Sequence, residues 1–277
     1  MSLKTIRIVV VLLCFLALSR IPTHGQLMTQ TPFKYAQLGF LDSTASESGA
    51  TGFHYPAVLL AMKSTAVLSI GKMLEVPNWN QIDGCFFSRK KGTGFGIQFS
   101  VEKLMVSTQS RAGFQVTQLL QNECAIGVVL GVSSVAIGGY KKELKPFSKL
   151  GLQTKLSDKL TASFTLTLES QSGFLVQKSK SIYATLLAGT QLHISSKVAA
   201  ILHLQKAANS PMEWMGLLRY LPAAKFRFQL GFSPDPQWWM LRASFMLNQF
   251  TMQIGLGVHP LVGALSRLSF QIPTLIK

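Results

Sequence analysis

Leu160-Thr161-Ala162-Ser163-Phe164-Thr165-Leu166-Thr167-Leu168-Glu169 alternates apolar and polar residues without a break. Successive side chains of a β-strand point to opposite faces, so this stretch has one oily face (Leu160, Ala162, Phe164, Leu166, Leu168) and one wet face (Thr161, Ser163, Thr165, Thr167, Glu169). The pattern returns in both directions along the chain. Phe95, Ile97, Phe99 and Val101 oppose Gly96, Gln98 and Ser100. Phe226, Phe228, Leu230 and Phe232 oppose Lys225, Arg227 and Gln229. Phe250, Met252, Ile254, Leu256 and Val258 oppose Thr251, Gln253, Gly255, Gly257 and His259. Leu268, Phe270 and Ile272 oppose Arg267, Ser269 and Gln271.

The connections between such strands are expected to alternate in length. Short ones fall near Lys90 to Thr93, Gln121 to Glu123, Leu156 to Lys159, Ser195 to Lys197, Leu221 to Ala224 and Leu247 to Gln249. Longer ones fall near Glu102 to Ser110, Ser133 to Lys149, Ser170 to Ser181, Gln205 to Met212, Ser233 to Gln237 and Pro260 to Leu265. Antiparallel membrane barrels have this asymmetry, with short periplasmic turns and longer loops outside. A weaker first pair lies around Ala66 to Ile70 and Gly84 to Ser88. The expectation is an all-β, transmembrane, antiparallel up-and-down β-barrel of about 14 strands, with both chain ends at the periplasmic side.

Composition separates this reading from a soluble sandwich, whose strands also alternate. The chain is 14% charged with a mean hydropathy of +0.30, where soluble domains carry about 25% charge. Trp79, Trp214, Tyr220 and Trp238-Trp239 are candidates for an interfacial aromatic girdle. A helical bundle is excluded in the region after the N-terminus, where no stretch offers roughly 20 uninterrupted apolar residues.

Residues 1–25 have the parts of a secretory signal: Lys4 and Arg7, the apolar run Ile8 to Leu18, then Thr23-His24-Gly25. That run is about 11 residues, too short for a membrane-spanning helix. The expected organisation is a signal peptide over 1–25, an N-terminal segment over 26–65 and a barrel over 66–277, carried to the cell outer membrane. The chain has 27 basic and 11 acidic residues; Lys4, Arg7 and Arg20 leave with the signal, so 24 oppose 11. The bases are scattered among strands, with Arg89-Lys90-Lys91 the densest run, which fits anionic lipid and lipopolysaccharide better than nucleic acid. Cys85 and Cys124 have no metal-ligand spacing, and a disulfide between them is left open.

If the apolar faces meet lipid, the others line the interior. The candidate lumen-lining residues are Arg227, Gln229, Arg242, Ser244, Thr251, Gln253, His259, Arg267 and Gln271, a polar, cationic wall on neighbouring C-terminal strands. Such side chains fill and hydrogen-bond a packed interior, or form a conduit or docking site for a carboxylate-bearing ligand. No catalytic, metal or cofactor constellation is expected. His54, His193, His203 and His259 have no Cys, Asp or Glu at ligand spacing, and no G-x-S-x-G elbow occurs. Gly92-Thr93-Gly94-Phe95-Gly96 reads as a turn entering a strand, because no helix follows to receive a phosphate.

Phe53-His54-Tyr55-Pro56-Ala57-Val58-Leu59-Leu60-Ala61, Val67 to Asn78, and Phe250 to Phe270 with its His259-Pro260-Leu261-Val262-Gly263 turn resemble the PorV/PorQ-like outer-membrane proteins of Bacteroidota, relatives of FadL-type channels. Tyr55 stands where that family has Asn, and Pro273 to Lys277 extends past the aromatic residue on which barrels commonly finish. The resemblance implies a barrel of about 14 strands with the N-terminal segment tucked inside as a plug. It also implies a non-enzymatic accessory or docking component in surface export, partnered by secretion-system proteins or cargo. The alternative is a FadL-like channel for small hydrophobic or anionic solutes.

Overall fold

A computed structural model describes Ala57 and residues 64–273, apart from 75–77, 91, 105–106, 122–123, 139–141, 172–180, 209, 235–236, 248–249 and 260–262. The signal peptide and nearly all of the N-terminal segment lie outside the described residues. Alternating sequence becomes fourteen strands: β1 (Thr65–Met73), β2 (Asn80–Lys90), β3 (Thr93–Leu104), β4 (Ser107–Gln121), β5 (Cys124–Ile137), β6 (Glu143–Lys155) and β7 (Leu160–Gln171). The second half is β8 (Ser181–His193), β9 (Val198–Ala207), β10 (Met212–Ala223), β11 (Phe226–Pro234), β12 (Gln237–Leu247), β13 (Phe250–His259) and β14 (Gly263–Pro273).

Each strand pairs antiparallel with its neighbours in sequence, and β1 pairs with β14 from Thr65↔Pro273 to Met73↔Leu265. The sheet therefore closes and leaves no edge of unpaired N–H and C=O groups, the condition for crossing a bilayer. One face carries Ile97, Leu130 and Leu241, which are 59%, 62% and 51% exposed. The other carries buried Gln81, Asp83, Gln115, Thr165, Gln191 and Arg219. An exposed apolar belt around a buried polar interior inverts the arrangement of a soluble barrel, and identifies a membrane-spanning one. On the outer face of β7, Phe164 packs sideways with Leu186 and Ala188, and Leu152, Leu166 and Leu204 complete the cluster. Lys206 shares this face near its end and carries its charge out of the apolar belt by donating from Nζ to the Ser210 carbonyl at 2.8 Å.

Two expectations need correction, and the open question of a disulfide closes. The stretches Glu102 to Ser110 and Ser133 to Lys149 are not long loops: β3 and β4 run to within two residues of each other at Leu104 and Ser107, and only 138–142 separate β5 from β6. The start of β4, Ser107-Thr108-Gln109-Ser110, is polar on both faces, so period two carries no signal there. Trp79 and Trp238 do not belong to a girdle. They point inward and are 1% and 3% exposed, whereas Trp214, Tyr220 and Trp239 are outward and exposed. Cys85 faces inward on β2 and Cys124 outward on β5, so the sheet separates the two sulfurs and no disulfide joins them.

Gly92 takes a left-handed φ of 83° in the connection from Lys90 to Thr93, which glycine adopts without steric cost. The following Thr93 opens β3, as the sequence reading of this glycine-rich stretch requires. At the β10–β11 turn, Pro222 sits where the register jumps between Tyr220 and Ala223. Proline has no N–H for the ladder, so it is tolerated in such a bulge.

Candidate functional site: the inner wall

Inward residues follow from register. In the C-terminal half, two rows run across the strands side by side. The first is Ile201, Leu217, Gly231, Met240, Gly257 and Leu265. The second, two residues nearer the short-turn end, is Ala199, Arg219, Gln229, Arg242, Gly255 and Arg267. Two residues of strand separate the rows by about 6.8 Å. An apolar strip thus lies directly beside a cationic one, and Ile201, Leu217, Met240, Leu265, Arg219 and Arg242 are all buried.

All nine residues singled out from the sequence stand on the inward face. Arg227, Gln229, Arg242, Ser244, Gln253 and Arg267 form one patch over β11 to β14: Gln229 opposes Arg242, and Arg227, Ser244, Gln253 and Ser269 succeed one another across four strands. Thr251 opposes Gln271 one rung closer to the short-turn mouth. His259 stands apart from the patch. It ends β13 at the opposite mouth, about 27 Å along the strand from Thr251, with its ring 5.0 Å from that of Trp238.

Polar groups that sequence reasoning missed complete the wall. Arg267 pairs with Asp83, which also accepts a hydrogen bond from Gln81 Nε2 at 3.1 Å. The pair bridges β14 and β2 across β1, where the inward residues Ser69 and Gly71 are small enough to let it pass. Arg219 donates to Gln191 Oε1 at 3.2 Å across the small Ala199 of β9. Arg111 pairs with Glu169 at 3.1 Å, and Ser133, on the intervening β5, donates to the same carboxylate at 2.8 Å. These bridges tie strands that are not neighbours in the sheet. They also satisfy charges that a buried position otherwise penalises.

The large inward rings rest on glycines of adjacent strands. A methyl group added at Gly94 would lie 2.3 Å from the Phe87 ring, and one at Gly131 would lie 2.5 Å from Phe147. Trp238 covers Gly257 in the same way, with 3.2 Å to a methyl there. Glycine alone leaves room for these rings to lie flat against the wall. Ala57, within the N-terminal segment, is 1% exposed and packs on inward Ala125 with Leu119 beside it, at the short-turn end. Among the described residues no cluster of His, Cys, Asp or Glu is placed to hold a metal ion.

No protein-family model matches the chain, and no curated protein is detectably similar in sequence. Solved structures share the fold. Against a CymD monoaromatic hydrocarbon channel the TM-score is 0.63 at 10% identity, covering 86% of this chain and 96% of that one. Against the Pseudomonas putida toluene transporter TodX it is 0.59 at 9% identity, covering 83% and 93%. A Pseudomonas aeruginosa FadL homologue gives 0.58 at 8% identity, covering 84% and 95%. These neighbours are FadL-family barrels, and none of them supports the PorV/PorQ-like resemblance of the short motifs. In architecture this chain is similar to channels for hydrocarbons, a closed fourteen-strand membrane barrel, and identities this low concern the fold and not the solute.

Proposed function

We propose that the protein is an outer-membrane channel that passes small hydrophobic solutes along the amphipathic inner wall of β9 to β14, after export on the signal peptide of residues 1–25. The observation that carries this reading is the apolar row Ile201, Leu217, Met240 and Leu265, which runs across β9 to β14 directly beside the row of Arg219, Arg242 and Arg267. A filled structural interior does not call for an oily strip beside an arginine row, whereas a path for an apolar molecule needs both a sliding surface and groups that exclude bulk water. Fold likeness to hydrocarbon channels supports the same reading. The nine sequence candidates then flank the path, with Arg227, Arg242 and Arg267 on its polar side. Lipid and lipopolysaccharide are the surroundings in which such a barrel works.

An accessory role in surface export is the weaker reading. It draws on the motifs and on no inward feature described above.

Uptake of a fluorescent neutral arene by cells with a lipopolysaccharide-bearing outer membrane tests the proposal. Cells displaying the barrel are expected to take up 1-methylnaphthalene faster than vector controls, and Leu217→Gln with Met240→Gln is expected to remove most of the gain. Uptake no faster than the control, from a barrel whose gel mobility changes on boiling as a folded one does, would contradict it.

A further inference from the structure

Charge is distributed unevenly between the two mouths. At the short-turn end, three consecutive hairpins each set a lysine immediately before the strand that follows: Lys159 before β7, Lys197 before β9 and Lys225 before β11. Two of these turns share one design. Leu156-Ser157-Asp158-Lys159-Leu160 and Ile194-Ser195-Ser196-Lys197-Val198 both read apolar-Ser-x-Lys-apolar. Ser157 Oγ accepts from the N–H groups of Lys159 (3.3 Å) and Leu160 (3.2 Å), and Ser195 Oγ accepts from those of Lys197 (3.2 Å) and Val198 (3.1 Å). The serine fixes the lysine's backbone in each case.

The next hairpin fixes it again. The Lys159 carbonyl accepts from His193 N–H, that of Lys197 from Leu221 N–H and that of Lys225 from Met246 N–H, each at 2.8 Å. The three lysines therefore occupy equivalent positions two strands apart, a spacing of roughly 10 Å.

Their direction follows from period two. Thr161, Ala199 and Arg227 stand two residues further on and face inward, so the lysines crown the mouth of the lumen instead of the lipid belt. All three are exposed. The acid in these turns, Asp158, is taken by Lys155 Nζ at 2.7 Å, so its charge is offset within its own turn. Arg227 lies one rung below Lys225, and the arginine row begins one rung deeper. At the opposite mouth the inward charges are mixed, with Glu102, Glu143 and Glu213 beside Lys145, and Glu143 paired with Lys145 at 3.2 Å.

We propose that the short-turn mouth is a binding vestibule for small organic anions, specifically arene carboxylates, held by Lys159, Lys197 and Lys225. Charge complementarity carries the choice of carboxylate. A ring of cations over a lumen of low dielectric concentrates anions at its opening and repels cations. The apolar body of the solute matches the strip Ile201 to Leu265 further in. The proposal rests on the channel reading for that apolar body and deepens it by naming the charge.

Binding of 1-naphthoate and of its neutral analogue 1-methylnaphthalene to the purified full-length barrel in an uncharged detergent tests it. The charge-removing variant is Lys159→Gln with Lys197→Gln and Lys225→Gln, checked for folding by gel mobility. Naphthoate affinity is expected to fall roughly tenfold in the triple variant, and likewise for the natural chain between about 50 mM and about 500 mM salt, where screening shortens the reach of each charge. Methylnaphthalene affinity is expected to stay unchanged by either. Should the triple variant misfold, each single variant is expected to lose about twofold. Naphthoate binding that is absent, insensitive to salt or unaltered by the substitutions overturns the vestibule. Loss of methylnaphthalene binding in every form, with naphthoate binding still lysine-dependent, would sink the channel reading and leave the vestibule standing.

Discussion

Arg267 on β14 reaches over β1 to form an ion pair with Asp83 on β2, joining residues 184 positions apart in the sequence. The pair sits at the seam where the first and last strands meet, and both side chains are buried. Closing a sheet brings its two ends together only once all the other strands are in place. A buried charge pair there acts as a clasp that the completed barrel alone can make.

Removing one member leaves the other charged and uncompensated, which costs about 3–5 kcal/mol at buried sites. Arg267→Met and Asp83→Leu are each expected to lower the denaturant midpoint of the detergent-folded barrel. The double variant is expected to recover much of the loss. Single-variant midpoints equal to that of the natural chain would show that the pair holds nothing.

The Phe87 ring lies where a Cβ on Gly94 would stand. Gly94→Ala is expected to cost about 1–3 kcal/mol as the ring is forced off its resting place. The further change Phe87→Leu is expected to restore stability in the Gly94→Ala background, as read from the same midpoints. A neutral Gly94→Ala would contradict the close approach.

Trp238 and Trp239 are adjacent in sequence and opposite in space. Single-tryptophan variants should separate them by quenching with brominated lipid in bilayers: Trp239 is expected to be quenched strongly and Trp238 hardly at all. Equal quenching of the two would place both on one side of the sheet.

Asp158 lies fully exposed in the β6–β7 turn, and its carboxyl is held below the ordinary value of 3.8, first by the hydrogen bond from Lys155 and then by the charge of that lysine. A depressed folded value means that the ionised, paired form is complete above the ordinary value and is lost as pH falls through the folded one. Carbon NMR of labelled aspartate is expected to show Asp158 titrating lower than a free carboxyl, and Lys155→Gln is expected to move it back up. No movement on that substitution would refute the pairing.

Much of the architecture was legible because period two survives wherever one face meets hydrocarbon. β7, β11, β13 and β14 alternate cleanly, and their inward residues Arg227, Gln253 and Arg267 could be named from sequence. The ends of β4 and β6 could not. β4 has 15 residues, more than the roughly 9–11 that cross the hydrocarbon layer, so its start at Ser107-Thr108-Gln109-Ser110 lies beyond the apolar belt and is polar on both faces. Arg219 was hidden for the opposite reason, since Leu217 and Leu218 before it are apolar on both faces. The alternation that puts Arg242 and Ser244 inward puts Trp238 there too, against the girdle that its residue type alone suggests. The pairings of Asp83 and Glu169 had no local signal, because their partners arrive only through barrel closure and through bridges over intervening strands.

The central claim is that apolar side chains meet lipid and polar ones meet the lumen on a closed sheet. Spin labels placed one at a time along β13 from Phe250 to His259, after Cys85→Ala and Cys124→Ser, measure it directly through collision with oxygen and with a water-soluble nickel chelate. The account predicts oxygen accessibility that peaks at Met252, Ile254, Leu256 and Val258 and drops at Gln253, Gly255 and Gly257. A profile without that two-residue period, or one with the opposite phase, would contradict it.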